Sequence, residues 1–232
     1  MPKPTSVTLS LVLLMLGFFN LGGNFKMASG QKTWCIANPS TASAELIENL
    51  DYACSHVGCS QIQQGSACFY PNTNLHHASF AMNLYYQRMG RHSLDCNFTN
   101  SGLVSLTDPS YRSCTYESGM QLEQFSIPYE SGGGAVVENG TSGNQTSETW
   151  CVANPATEND RLQENINFAC NHVDCSPIRD GGSCFRPVTL MNHATFAMNL
   201  YYQTTGRRNT SCDFKGSGLI VIRRPSHDNC SF

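Results

Sequence analysis

Charged side chains are scarce in this sequence. Asp, Glu, Lys and Arg make up only 13% of its 232 residues, and the formal net charge is −3. Such a chain lacks the basic surface with which proteins bind nucleic acids or anionic membranes. A neutral partner therefore suits this composition better than a polyanion, and we expect no nucleic-acid partner.

The sequence also lacks an apolar run long enough to span a bilayer comfortably. Its apolar segment Leu9–Phe19 follows Lys3 and precedes the small residues Ala28, Ser29 and Gly30. This pattern predicts that residues 1–30 are a cleaved secretory signal peptide, the alternative being an uncleaved signal anchor. No apolar tail follows the last Cys, which predicts no GPI anchor. We expect a secreted, extracellular protein whose mature chain has no membrane anchor.

Cysteine, by contrast, is abundant, with 12 residues in two sets of six. The successive separations are 19, 5, 9, 28 and 18 positions in both sets, and the second set follows the first at an offset of 116. In an oxidising compartment an even number of Cys predicts disulfides, although six cysteines allow 15 pairings in each set. The cysteines are Cys35, Cys54, Cys59, Cys68, Cys96 and Cys114, then Cys151, Cys170, Cys175, Cys184, Cys212 and Cys230.

The repeat divides the chain into two copies of one module, residues 34–114 and 150–230. Residues 115–149 lie between them and contain the run Ser131–Gly134. Such a composition predicts a flexible linker. The pattern Asn-x-Ser/Thr predicts N-glycosylation at four asparagines. They are Asn97, Asn139, Asn144 and Asn209.

Each module is predicted to have a small, disulfide-rich α+β fold with two helices and a small antiparallel sheet. In the first copy we expect an opening strand at Trp34–Ala37 and a closing strand at Gly102–Leu106, paired with each other. One helix is expected to contain Leu46 and Val57 on its apolar face, and the other to span Leu75–Met89. The expected N-caps are Thr41 and Thr157 for the first helix of each copy and Asn74 for the second helix of copy one.

Catalytic and metal-binding groups are sparse among the positions that the copies share. Glu48/Glu164 is the only acidic pair, whereas glycoside hydrolysis usually needs two carboxylates. The sequence has no Gly-rich phosphate loop and no Ser nucleophile elbow. Two histidine pairs recur, and a structural role for them is favoured over zinc binding because disulfides use the cysteines. These pairs are His56/His172 and His77/His193. We expect no catalytic residue, no metal and no cofactor.

The longest unbroken match between the copies is Phe80–Gln87 with Phe196–Gln203. Neighbouring tyrosines on a helix point about 100° apart, so one of each pair should be buried and the other exposed. An exposed Tyr ring can stack on a pyranose while amides bind its hydroxyls, but the run could equally be shared because it packs in the core. Phe69/Phe185 are expected in the core and Phe98/Phe214 closer to solvent. The binding candidates are Asn83, Tyr85, Tyr86, Gln87, Phe98, Asn199, Tyr201, Tyr202, Gln203 and Phe214.

These motifs together resemble the plant X8 domain, which is carbohydrate-binding module family 43. The resemblance rests on Trp-Cys-x-Ala-Asn-Pro at the start of each copy, on Cys68-Phe69-x-Pro71-Asn72-Thr73, on Ala78–Gln87 and on Cys96-Asn97-Phe98. It covers residues 34–114 and 150–230. Copy two departs from copy one at Phe168, where copy one has Tyr52, and at Val188, where copy one has Asn72.

The resemblance implies a non-catalytic protein that binds β-1,3-glucan such as callose, in the plant cell wall or at plasmodesmata. Many relatives carry a glucan-hydrolysing barrel, for which this chain has no room. The alternatives are a cysteine-rich extracellular interaction or signalling protein without sugar binding, and an accessory part of a glucan hydrolase. We expect a monomer that binds through both modules. The resemblance also implies the disulfides Cys35–Cys96, Cys54–Cys59, Cys68–Cys114, Cys151–Cys212, Cys170–Cys175 and Cys184–Cys230.

Overall fold

The structure is a computed structural model that describes residues 31–119, 148–226 and 229–232. The predicted signal peptide and most of the predicted linker, with Asn139 and Asn144, lie outside the described residues. Module 1 contains β1 (Trp34–Ala37), α1 (Ser43–His56), α2 (Asn74–Arg88) and β2 (Gly102–Ser105). Module 2 contains β3 (Trp150–Ala153), α3 (Asn159–Cys170), α4 (Leu190–Thr204) and β4 (Gly218–Val221). The predicted α+β class and the pairing of opening and closing strands are confirmed.

The helix starts differ from the predicted caps. α1 begins after Ala42 and α3 after Glu158, neither with a side-chain cap, so the prediction of Thr41 and Thr157 is wrong. α2 is capped by Thr73 rather than Asn74, because the Thr73 hydroxyl accepts a hydrogen bond from the His76 backbone N–H at 3.2 Å. A β-branched Thr in extended conformation suits this position, since its oxygen reaches the third N–H of the helix.

Helix α2 lies along the outer edge of strand β1. The strand order is β1-β2-β4-β3, so β1 and β3 are edge strands. The outward N–H of Cys35 donates to Asn83 Oδ1 at 3.1 Å, and that of Ala37 donates to Ser79 Oγ at 3.0 Å. Module 2 has the same bonds, from Cys151 to Asn199 (3.1 Å) and from Ala153 to Thr195 (3.2 Å). The helices thereby satisfy the backbone donors of edge strands that would otherwise lack partners or pair with another chain.

The six disulfides are those that the family resemblance implied. Each module has one bridge between its opening strand and the loop before its closing strand, one short bridge after the first helix, and one to its C-terminal segment. A disulfide typically stabilises a small domain by about 2–4 kcal/mol, so three of them compensate for a thin core.

The two modules share one four-stranded antiparallel sheet, a junction that the sequence did not predict. β2 and β4 pair at Ser105 and Val221, which are equivalent positions of the two copies. On either side of this pair, Leu106 N–H donates to Ile220 O at 2.8 Å and Ile222 N–H donates to Val104 O at 3.1 Å. Since these two bonds also link equivalent residues reciprocally, an approximate twofold rotation relates the modules.

Side chains at the junction follow the same symmetry. Asn38 Nδ2 donates to Pro225 O at 3.4 Å, and its counterpart Asn154 Nδ2 donates to Pro109 O at 3.2 Å. A buried apolar cluster spans both modules and includes Ile36, Leu103, Trp150, Val152, Leu219 and Val221. Burying an aliphatic side chain of this size contributes roughly 1.5–3 kcal/mol, so the junction adds substantially to the stability of both copies.

The start of the predicted linker belongs to module 1. Tyr116 is buried and its ring lies 5.2 Å from that of Phe80, edge to face. The next residue, Glu117, accepts a hydrogen bond on its backbone oxygen from Asn83 Nδ2 at 2.9 Å. The module therefore continues past Cys114 through these two residues.

Candidate functional site

Four aromatic rings converge on the surface of module 1. Tyr52 and His56 lie one turn apart near the end of α1, Tyr85 lies on α2, and Phe98 lies in the loop before β2. The ring centres of Tyr52 and Tyr85 are 5.5 Å apart, and those of Tyr85 and Phe98 are also 5.5 Å apart. Tyr52 is half exposed, at 50%. We call these four residues cluster 1.

Module 2 carries the equivalent cluster 2. Its ring centres are 5.2 Å apart for Phe168 and Tyr201 and 5.8 Å apart for Tyr201 and Phe214. His172 lies 4.8 Å from Phe168 in the position that His56 occupies in cluster 1. Phe168 is 47% exposed, although Phe is usually buried in a soluble protein. Adjoining edge-to-face rings that stay open to solvent form a ready stacking surface for an apolar face.

An unusual backbone turn places Phe98 in cluster 1. Phe98, Thr99 and Asn100 have φ values of 40°, 54° and 70°. Positive φ costs a non-glycine residue of order 1–3 kcal/mol, so other contacts must hold the turn in place. The same turn recurs at Phe214, Lys215 and Gly216 with φ values of 41°, 58° and 80°.

A buried side-chain relay fixes this turn. In module 1, Asn49 Nδ2 donates to Ser101 Oγ at 2.6 Å, and the Ser101 hydroxyl donates to Phe98 O. Gly102 follows, and a Cβ there would lie only 1.8 Å from the Cys96 backbone oxygen. Module 2 repeats the relay with Asn165 to Ser217 (2.8 Å) and Ser217 to Phe214 O (2.6 Å). The first helix of each module therefore orients the Phe of its cluster.

Hydrogen bonds orient the other rings. In cluster 1 the hydroxyls of Tyr52 and Tyr85 are hydrogen-bonded at 3.2 Å. This bond, together with partial burial, raises the pKa of Tyr85 to about 12, so the phenol stays protonated at any physiological pH. His56 Nδ1 bonds the backbone oxygen of Tyr52 at 2.8 Å, and His172 Nδ1 bonds that of Phe168 at the same distance. Phe168 has no hydroxyl, so the Tyr–Tyr bond is specific to cluster 1.

Cluster 2 borders a cavity of about 310 Å³. Phe168, Tyr201 and Phe214 form its aromatic wall, and the rest of its lining is polar, with Arg161, Glu164, Asp213 and Lys215 as charged members. Aromatic rings beside converging polar groups are typical of small-ligand sites. The combination suits a hydroxyl-rich ligand with apolar faces.

Comparison with known proteins identifies the modules. A family model for the X8 domain matches residues 33–103 and 149–219. The chain belongs to the X8 domain family. The resemblance drawn from its motifs is thereby confirmed, and both X8 matches begin at the Thr that precedes the opening Trp.

Several curated proteins contain a similar X8 region. A protein named glucan endo-1,3-beta-glucosidase from Triticum aestivum is 47% identical over 83 residues, which are 36% of this chain and 18% of that protein. A glucan endo-1,3-beta-D-glucosidase from Olea europaea is 45% identical over 85 residues, again 36% and 18%. Major pollen allergen Ole e 10 from Olea europaea is 45% identical over 90 residues, 38% of this chain and 73% of the allergen. The chain thus spans less than a fifth of each glucosidase and most of the allergen.

Four of the predicted binding residues lie in the two clusters of the X8 modules. Tyr85 and Phe98 are in cluster 1, and Tyr201 and Phe214 are in cluster 2. The expectation that each tyrosine pair has one buried member is confirmed, since Tyr86 is 2% exposed and Tyr85 is half-buried.

The other candidates are structural, which corrects the sequence-based set. Asn83 is fully buried, and with Gln87 it holds the opening strand: Gln87 Nε2 donates to Thr33 O at 2.8 Å and to Asn83 Oδ1 at 3.2 Å. The Tyr86 hydroxyl is bonded to Thr33 Oγ1 at 2.8 Å. Their counterparts Asn199, Tyr202 and Gln203 make the matching bonds to Cys151 and Thr149. These bonding groups therefore hold the edge of the sheet, and half-buried Gln203 also accepts a hydrogen bond from Arg207 Nε at 2.7 Å.

Two cluster members on α1, Tyr52 and His56, were missed, with their counterparts Phe168 and His172. A signal was present, because aromatic residues recur at a spacing of four, about a quarter turn around the helix from buried Leu46 and Ala53. Such a pair on a solvent face of a helix is unusual enough to mark a surface with a role.

Other sequence expectations have mixed outcomes. Phe69 and Phe185 are half-buried against His77 and His193 rather than in the core. His77 Nε2 bonds Phe69 O at 2.8 Å, which is a structural role. Across residues 31–119, 148–226 and 229–232, no three His, Cys, Asp or Glu side chains are grouped as metal ligands would be. In the same ranges no helix is long and apolar enough to cross a membrane.

Two predicted glycosylation sites fall on described residues. Asn209 is exposed, whereas Asn97 is half-buried and its Oδ1 accepts a hydrogen bond from Arg223 Nη1 at 2.8 Å. Occupancy at both asparagines stays a prediction.

Proposed function

We propose that this X8 protein is a secreted, non-catalytic, bivalent binder of β-1,3-glucan, such as callose in the plant cell wall. The observation that carries the proposal is the solvent-exposed aromatic cluster, present at the same place in both modules. Sugar rings present apolar C–H faces that stack on such rings, while hydroxyls find partners among amides, phenols and charged groups at the rim.

The ligand class is supported by the relatives. The two glucosidases that share the X8 region are named for β-1,3-glucan, and the allergen consists mostly of the region matched here. The six disulfides suit an oxidising, extracellular compartment. The low charge of the chain suits a neutral polysaccharide.

Bivalency takes a particular form in this fold. Because β2 and β4 join the modules in one sheet, the two clusters are held in a fixed relative geometry. Two sites held in this way gain avidity only on a polymer that can meet both at once, and fixed geometry makes the gain depend on the shape of the polymer.

Affinity electrophoresis of the chain from Gln31 in gels containing laminarin tests the proposal. We expect retardation of the wild-type protein and its loss in the double variant Tyr85→Ala/Tyr201→Ala, because each substitution removes the central ring of a cluster. The control Val188→Ala removes an exposed apolar side chain outside both clusters and should migrate like wild type. Thermal unfolding of all three proteins must be comparable for the comparison to be valid.

The alternative functions give different results in the same assay. A wild-type protein that is not retarded at all, but captures a specific extracellular protein, would be an interaction or signalling protein. Release of reducing sugar from laminarin by the pure protein would contradict the non-catalytic assignment.

A further inference from the structure

A second cavity adjoins the cavity of cluster 2. It has a volume of about 370 Å³ and lies between the two modules. Arg161, Glu164 and Lys215 line both cavities, so the two are neighbours that share part of their walls. Arg161 and Glu164 are joined there by a salt bridge of 2.5 Å. The far wall of the second cavity is formed by Tyr111 and Arg112, which belong to module 1.

This wall is rigidly built. Tyr111 and Cys114 close a tight turn through reciprocal backbone hydrogen bonds of 2.9 and 2.8 Å. Cys114 is anchored by its disulfide to Cys68. The guanidinium carbon of Arg112 lies 5.0 Å from the ring centre of Tyr111, so the two side chains stack.

The wall is also tied to module 2. Arg112 Nη2 donates to Glu158 Oε1 at 2.7 Å, and the Tyr111 hydroxyl donates to the same oxygen at 3.3 Å. Burial and the Glu158 carboxylate both raise the pKa of Tyr111, so its hydroxyl remains a donor at physiological pH. Glu158 uses the hydroxyl hydrogen of Tyr111 and one N–H of Arg112, so the pair presents further guanidinium N–H donors and a phenol oxygen acceptor at a fixed place beside cluster 2.

We propose that Tyr111 and Arg112 of module 1 form an additional subsite for a glucan chain that is bound at cluster 2. This inference rests on the proposed function. A polysaccharide stacked on Phe168 and Tyr201 can continue past Arg161 and Lys215 into the second cavity. There the remaining guanidinium N–H groups donate to sugar hydroxyls and the phenol oxygen accepts from them. The site of module 2 is then completed by module 1.

The arrangement makes the two sites unequal. At the positions equivalent to Tyr111 and Arg112, the sequence of module 2 has His227 and Asp228. An equivalent Tyr–Arg pair is therefore not encoded for cluster 1. The site at cluster 2 should prefer longer glucans, and cluster 1 should show a weaker dependence on chain length.

Calorimetric titration with β-1,3-linked disaccharide and hexasaccharide tests the subsite. All proteins carry Tyr52→Ala/Tyr85→Ala, so that oligosaccharide binding is measured at cluster 2 alone. In this background we expect Tyr111→Ala/Arg112→Ala to weaken hexasaccharide binding about tenfold and to leave disaccharide binding within about twofold. Ser113→Ala, in the same turn but outside the second cavity, is the matched control and should change neither.

The outcomes separate the subsite from the function on which it rests. Unchanged hexasaccharide affinity, or equal weakening for both lengths, would overturn the subsite while leaving binding at cluster 2 intact. Failure of the background protein to bind either sugar, with wild-type stability, would overturn glucan binding at cluster 2 and the subsite with it, and the same failure in the wild-type protein would overturn the glucan function. If the double variant proves unstable, Arg112→Gln alone gives the same length-dependent reading, because Arg112 is largely exposed.

Discussion

The two X8 modules make the same hydrogen bonds at the edges of their shared sheet but differ in one exposed ring of their aromatic clusters. Asn83, Gln87 and their counterparts in module 2 make the same hydrogen bonds to the opening strand within about 0.1 Å. In the aromatic clusters, by contrast, one exposed ring is Tyr52 in module 1 and Phe168 in module 2. The hydrogen bonds that the copies share at the sheet edge therefore report on folding, and Tyr52/Phe168 is the position at which the aromatic clusters differ.

The junction adds a second difference. Arg223 of module 2 donates to Asn97 Oδ1 and Asn100 Oδ1 of module 1, at 2.8 and 2.5 Å, beside the turn that carries Phe98. Module 1 in turn places Tyr111 and Arg112 beside cluster 2. Each candidate site therefore has a different neighbour from the other module, which two freely moving copies would lack.

The largest expected effect concerns the buried asparagines. Asn83 bonds Cys35 N, Gln87 Nε2 and Glu117 O, whereas Asn199 bonds Cys151 N and Gln203 Nε2 within the described part of the chain. We expect Asn83→Ala to lower the free energy of unfolding by about 3 kcal/mol and Asn199→Ala by about 2 kcal/mol, since each leaves buried donors unpaired.

Urea unfolding followed by far-ultraviolet circular dichroism measures both losses. Gln63→Ala, at an exposed position, is the control and should change little. A stable Asn83→Ala protein that no longer bound laminarin would return this residue to the ligand surface and contradict the structural role given to it here.

Sequence reasoning reached the fold more completely than the site. The cysteine ladder and the alternation of apolar residues predicted the module count, the helices and the paired strands, because these depend on local periodicity. The family resemblance supplied the disulfides. The pairing of β2 with β4 was out of reach, because Ser105 and Val221 carry no pattern that distinguishes an edge strand from a shared one.

The site was half found for a related reason. Tyr85 and Tyr86 could be sorted into one exposed and one buried residue by helix geometry, but the partner of the exposed ring lies on another helix. Tyr52 and Phe98 reach Tyr85 only through the crossing of α1 and α2 and through a turn of positive φ. The spacing of residues along the sequence does not predict which side chains from different helices and loops meet in the folded module.

A smaller effect is expected from a buried histidine that only module 1 contains. His76 is fully buried and bonded through Nε2 to Cys68 O at 3.1 Å, whereas module 2 has buried Asn192 at the equivalent position. Burial, and secondarily the neighbouring His77, lowers the pKa of His76 from 6.5 to about 4. The ring of Tyr116, 6.4 Å away, faces it from the C-terminal segment of the module.

The sign of the pH dependence follows from this lowered pKa. The unfolded chain takes up a proton at His76 as the pH falls through about 6.5, whereas the folded protein does so only near pH 4. The contribution of neutral His76 to stability is therefore complete above pH 6.5 and is lost as the pH falls from 6.5 to 4. With a slope that approaches about 1.4 kcal/mol per pH unit below pH 6, wild type should lose about 1.6 kcal/mol more than His76→Asn between pH 6.5 and 5. Urea midpoints at the two pH values measure the difference, and exposed His92→Asn is the control. Parallel pH profiles for wild type and His76→Asn would show that His76 does not resist protonation.

The smallest effect is expected from exchanging the exposed rings between the clusters. Tyr52→Phe removes the hydroxyl that bonds Tyr85, and Phe168→Tyr offers a new one to Tyr201, whose ring lies 5.2 Å from that of Phe168. We expect each change to alter laminarin affinity by no more than about threefold, because an exposed hydrogen bond contributes on the order of 0.5 kcal/mol.

Titration of tyrosine absorbance tests the same hydrogen bond independently of laminarin binding. Tyr52→Phe should bring the pKa of Tyr85 down from about 12 towards 10, because the bond to Tyr52 is the largest cause of its elevation. A Tyr85 pKa that stayed near 12 in this variant would show that burial causes the elevation. The Tyr52 hydroxyl would then not be the feature that sets the ionisation of Tyr85 in cluster 1.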